Sequence, residues 1–68
     1  MPCYRVEVAA LLDEDWRLWF EGWEVMQIAD GNSVLTGNVR DQTELHGLLA
    51  RLRDLNLKLI SVTLEAND

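Results

Sequence analysis

Five leucines constrain this chain more than anything else in it. Leu45, Leu48, Leu49, Leu52 and Leu55 fall at offsets of 0, 3, 4, 7 and 10. At 3.6 residues per turn that spacing is one continuous apolar stripe along a helix. Asp41 precedes them with Glu44 three residues on, a D-x-x-E capping box in which each side chain can satisfy a backbone donor that a helix start leaves free. Asn56 suits the left-handed position after the last turn, which would fold Leu57 back on Leu52. The spacing predicts a helix over 41–55, the one long rod available to cover everything else.

The remaining segments read mainly as strands. Tyr4, Val6, Val8, Ala10 and Leu12 alternate with Arg5 and Glu7, the two-residue period of a half-buried strand, expected over about 3–11. A second strand is expected over 23–29 and a third over 33–39, joined through Asp30-Gly31-Asn32-Ser33, where Gly31-Asn32 is a two-residue hairpin signal. The last strand, about 58–65, puts Ile60, Val62 and Leu64 on one face and Leu59, Ser61 and Thr63 on the other. Between the first two strands, Asp13-Glu14-Asp15 leads into Trp16, Trp19, Phe20 and Trp23 at offsets 0, 3, 4 and 7. That is one helical face, with Asp13 as a cap and Gly22 as a stop. A segment so short needs packing to stay helical, so a short aromatic helix and an irregular aromatic loop over 14–21 are both open.

The predicted order is β-α-β-β-α-β, a ferredoxin-like sequence of elements in the α+β class: about four mainly antiparallel strands with one long helix on one face. A parallel crossover generally needs a dozen or more residues, and residues 13–22 are barely enough for one. A single domain over 1–68 is expected, because the chain has 68 residues, no linker, no repeat and no low-complexity stretch.

Shortness makes the core marginal. Ordering costs on the order of 1.5 kcal/mol per residue and nearly cancels burial at about 25 cal/mol per Å². Lone Cys3 excludes an internal disulfide, and Cys3 with His46 falls short of the four ligands of a structural zinc site. Association is the remaining aid, so a homo-oligomer is expected, a dimer first. One helix cannot shield two sides of a sheet, which leaves the aromatic segment to roof the second side or to meet another copy.

Twelve acids stand against six bases, for a net charge of −6, with −5 carried by residues 1–34. Asp13, Glu14, Asp15, Glu21 and Glu24 surround the aromatics and would repel a phosphate backbone, so nucleic acid is not expected as a partner. No apolar run exceeds five residues, which predicts no membrane span and no secretory signal. No metal pair, glycine-rich phosphate loop or Ser/His/Asp set is present, and no catalytic residue, metal or cofactor is assigned.

Trp16, Trp19, Phe20 and Trp23 are the candidate anchors for a partner or a small apolar ligand, since each ring can bury about 150–250 Å² and Trp is enriched at binding hot spots. The plainer role for them is completing the core. On the long helix, His46 lies on the flank in a row with Gln42 and Arg53. Gly47 sits mid-helix at a cost of about 0.8–1 kcal/mol relative to Ala, for which close approach of another backbone would be a reason.

Two resemblances add to this reading. In length, and in opening Met1-Pro2 before a strand, the chain is similar to the small tautomerases over about eight residues, which implies an N-terminal proline amine acting as general base. That family follows its first strand with a long helix and carries arginines for its acidic substrate. Here the first strand runs into Asp13-Glu14-Asp15, which would repel a carboxylate. Separately, Trp19-Phe20-Glu21-Gly22, Asp30-Gly31, Leu35-Thr36-Gly37, Asp41-Gln42, Leu45-His46-Gly47-Leu48-Leu49 and Arg53-Asp54-Leu55 together resemble a group of short bacterial hypothetical proteins, over about residues 16–64. The resemblance implies a free-standing prokaryotic cytoplasmic protein and carries over no catalytic residue. The functional expectation is a non-catalytic interaction module that self-associates through its aromatic segment or open sheet face. A small-ligand sensor is the alternative, and the proline-based enzyme a third.

Overall fold

A computed structural model describes residues 2–28 and 31–67. The elements run β1 (Pro2–Val8), a 3-10 helix (Glu14–Trp19), β2 (Glu24–Gln27), β3 (Ser33–Asn38), α1 (Gln42–Asp54) and β4 (Leu59–Asn67). The four strands form one sheet in the order β2-β3-β1-β4, with every neighbouring pair antiparallel. The α+β class and the single long helix are as the sequence predicts. β1 and β2 run parallel to each other with β3 inserted between them, a split β-crossover-β unit. The crossover takes residues 9–23, longer than the stretch the sequence marks out, because β1 ends at Val8 rather than Leu11. A six-residue 3-10 helix lies where a ferredoxin-like order would place an α-helix.

Helix α1 forms where its caps and stripe put it. Asp41 is extended and its Oδ1 accepts from the Glu44 amide at 2.9 Å. The reciprocal half of the capping box is not made: the Glu44 carboxylate is taken by Arg40 Nε at 3.2 Å. At the other end Asn56 has φ +58°, its amide donates to Arg53 O, and the Leu57 amide donates back to Leu52 O at 2.9 Å. This is a Schellman closure, and it draws Leu57 against the core. Leu45, Leu48 and Leu52 are buried, and Leu49 and Leu55 are half-buried on the stripe's flanks.

Register decides which strand residues the helix meets. Val6 pairs with Leu35, and Leu35 with Val25, so these side chains share the helix side and form the core with Val8, Leu12, Phe20, Leu48 and Leu52. The reverse face carries Cys3, Arg5, Glu7, Glu24, Thr36, Ser61 and Thr63 by the same pairings, with Val34, which is buried, and Met26 as its large apolar residues. That corrects the expectation of two sides needing cover: the reverse side is mostly polar, as one face of an antiparallel sheet commonly is. The hairpin also differs from its signal. Gln27 pairs with Ser33 and the Ile28 amide donates to Asn32 O at 2.9 Å, so Asn32 continues the ladder instead of turning. Gly31 is left-handed at φ +75°, as a tight turn requires of one of its residues; 29 and 30 lie outside the described residues.

A buried hydroxyl fixes the entry to the crossover. Ser33, fully buried at the start of β3, accepts from the Leu12 amide at 2.9 Å and donates to Ala10 O at 2.7 Å. Gln27 Nε2 donates to Leu12 O at 3.0 Å. The chain after β1 is thereby satisfied by side chains where a strand ladder ends.

Candidate interaction surface

β4 contributes no residue to the core, although its sequence is the most apolar of the four strands. It is an edge strand beside β1, and the pairs Val6–Val62 and Tyr4–Leu64 put Val62 and Leu64 on the helix side. A register shift between Glu7 and Val8 makes Ile60 the extra residue and pairs Leu59 with Val8. Leu59 therefore joins Ile60 on the helix side, whereas strict alternation had assigned it to the opposite one. The result is an apolar strip of four side chains that α1 leaves open: Leu59 is 44% exposed, Ile60 46%, Val62 37% and Leu64 48%.

The aromatic segment is mostly turned inward. Phe20 is fully buried, and Trp16 and Trp23 are half-buried against the core, with Trp16 and Phe20 stacked at 6.4 Å between ring centres. Trp23 packs against Gly37, where an added Cβ would come within 2.9 Å of the ring. Only Trp19 points largely outward, 55% exposed, beside Leu18 at 87%. The backbone here is a 3-10 helix rather than the α-turns whose spacing would have aligned all four rings. Arg51 of α1 donates a hydrogen bond to Trp19 O and ties the segment down. Asp13, Glu14, Asp15, Glu21 and Glu24, all exposed, surround it.

The two candidate surfaces thus sit toward opposite edges of the sheet with different electrostatics. Among the described residues β4 carries Glu65, which faces Arg5 at 3.7 Å, with Lys58 just before it and Glu7 on the adjoining strand opposite Ser61. The aromatic end carries five acids with Arg17 as the basic residue among them. A shallow groove of about 400 Å³ opens between the 3-10 helix and β2, lined by Leu12, Asp13, Glu14, Arg17, Met26 and Gln27 together with Val25. None of the four aromatic candidates is among these residues.

On α1, Gln42, His46, Gly47 and Arg53 are all exposed. Close backbone approach does not account for Gly47, because an added Cβ there would meet nothing within 4 Å. Cys3 lies on the sheet face away from the helix that carries His46, so the sheet stands between them. Among the described residues no group of three His, Cys, Asp or Glu side chains could hold a metal ion, and no helix is long and apolar enough to cross a membrane. Pro2 opens β1, and its carbonyl accepts from the Val39 amide at 2.8 Å.

A model of the domain of unknown function DUF8691 matches residues 3–63, nearly the whole sheet and all of α1. The chain belongs to the DUF8691 family. That agrees with the resemblance to proteins of no established function. No curated protein and no solved structure matches the chain. The DUF8691 match takes in β1 to Thr63 of β4, so most of the open strip lies inside the family's span. Sequence reasoning missed the strip's full extent, because Leu59 joins it only through the bulge. It also missed Ser33, whose burial no local pattern signals.

Proposed function

We propose that this DUF8691 protein is a non-catalytic interaction module that self-associates through the open part of its helix-side sheet face. The observation that carries the reading is the strip of Leu59, Ile60, Val62 and Leu64, each more than a third exposed on one edge strand. Large apolar side chains grouped on one surface mark contact sites, whereas scattered ones need no explanation. A bacterial cytoplasmic setting is part of the proposal, supported by the lone Cys3, which suits a reducing compartment. The aromatic segment is the less favourable contact for a second copy, because Trp19 and Leu18 would bring five acids against five.

Sedimentation equilibrium over a micromolar to millimolar series tests the reading. The expected outcome is a dimer at the upper end, lost in Val62→Lys, which places a charge in the strip; circular dichroism of the variant checks that the core beside it, where Val62 pairs with Val6, still folds. A wild-type chain that stays monomeric throughout would remove the proposal.

A further inference from the structure

Resting on that reading of β4 as a contact surface, the geometry points to the form of the contact: two copies join β4 to β4, antiparallel across a two-fold axis at Val62, into one eight-stranded sheet. Four observations converge on this arrangement.

The first is the edge itself. β4 has nine residues, against four in β2 at the other edge, and β2 carries Glu24 and Gln27 as polar protection. An edge strand presents a row of backbone donors and acceptors for which a second strand is the natural partner. The second is regularity. The register shifts in the β1–β4 pairing fall between Cys3 and Tyr4 and between Glu7 and Val8, and the ladder between them is unbroken from Ser61 to Leu64. Bulges twist an edge away from pairing; here they flank the stretch, at Ile60 and at Glu65, and leave Ser61 to Leu64 regular.

The third is self-complementarity, which a two-fold contact requires because the same patch serves both copies. About Val62 the sequence Ile60-Ser61-Val62-Thr63-Leu64 reads alike in both directions by chemical type. Antiparallel pairing centred there sets Ile60 opposite the second copy's Leu64, Val62 opposite Val62, and Ser61 opposite Thr63. Apolar pairs would meet on the helix side and hydroxyl pairs on the wet side, and such cross-strand pairs are the unit of sheet stabilisation. A shift by one residue would set Ile60 against Thr63 and lose the match on both faces.

The fourth is charge. The acid-rich 3-10 helix and β2 lie at the far edge of each sheet, so the order β2-β3-β1-β4-β4-β1-β3-β2 keeps the two acidic ends as far apart as the sheet allows. At 0.1 M salt, charges beyond about 10 Å are largely screened from one another. A second copy is thus the occupant to which both the pattern and the field are suited.

Cysteine cross-linking on the wet side tests the arrangement, because strand pairing in this register sets Ser61 of one copy directly opposite Thr63 of the other, which packing through the apolar strip would not do. In a Cys3→Ser background, copies carrying Ser61→Cys are mixed with copies carrying Thr63→Cys in a glutathione redox buffer. Directly opposed residues of antiparallel strands lie about 4.5–5.5 Å apart, within reach of a disulfide. The expected result is a disulfide-linked heterodimer at least tenfold above that of either variant alone or of an Arg53→Cys control on the helix surface. Circular dichroism of each variant checks that it folds. Complementation gives a second readout on the apolar side: Ile60→Lys and Leu64→Glu copies should each sediment as monomers, and their mixture as a dimer. A wild-type dimer without selective Ser61–Thr63 linkage would overturn the strand pairing and leave self-association standing. A wild-type monomer would take both away.

Discussion

Two glycines in this chain have opposite reasons for being there. Gly37 is in β3, where an added Cβ would sit 2.9 Å from Cδ2 and Cε3 of Trp23 and 3.2 Å from Gly22 O. The ring is held by the core and the carbonyl is backbone, so neither can give way cheaply. Gly37→Ala should therefore destabilise by about 1–3 kcal/mol, as overpacking generally does. Gly47 faces open space on α1 and pays the helix-interior entropy with no contact in return. Gly47→Ala should stabilise by about 0.8–1 kcal/mol. Urea denaturation of the two variants reads both signs in one experiment, and a gain in stability for Gly37→Ala would mean that Trp23 does not rest on β3.

At the scale of elements, what the sequence made legible was local. Asp41 and Asn56 act within a few residues of themselves, and the leucine stripe is periodic, so α1 could be placed to within a residue or two of its ends. The strands followed from alternation, while their far ends depended on partners: β1 stops at Val8 because Ser33, more than twenty residues away, takes over the hydrogen bonds of Ala10 and Leu12. The 3-10 helix was the least legible element, since its own residues bury nothing completely and Phe20 just beyond it does the anchoring. This division has a measurable consequence. Phe20→Ala should cost about 3–5 kcal/mol, the usual range for emptying a buried aromatic site. For a chain of 68 residues that is a third or more of the expected stability of about 3–10 kcal/mol, at about 0.05–0.15 kcal/mol per residue. Trp19→Ala should cost about 1 kcal/mol or less, because the ring is more than half exposed and is tied to α1 through its backbone carbonyl, which the substitution keeps. Equal losses in chemical denaturation would contradict the inward placement of the segment.

For the whole molecule, the open question posed by the sequence was where cover runs out, and the strand order answers it. The helix, the 3-10 segment and the tails of the crossover close the core over β1, β2 and β3. β4, added last at the outer edge, is left with four apolar side chains in water. No single-strand pattern could show this, because it depends on which strand lies at the edge and which of its faces the helix reaches. A small core with an open apolar edge ties stability to concentration: a partner that binds only the folded chain adds to its stability by mass action. For a dimer that unfolds to monomers, a tenfold rise in protein concentration is worth about 1.4 kcal/mol per dimer, or about 0.7 kcal/mol per chain. Domains of this length shift by roughly 4–8 °C per kcal/mol. The melting temperature should thus rise by about 3–6 °C for each tenfold increase in concentration above the dimer's dissociation constant, and Val62→Lys should abolish the dependence. A wild-type melting temperature that stays flat across a hundredfold range would show that the chain stands alone with its β4 strip bare.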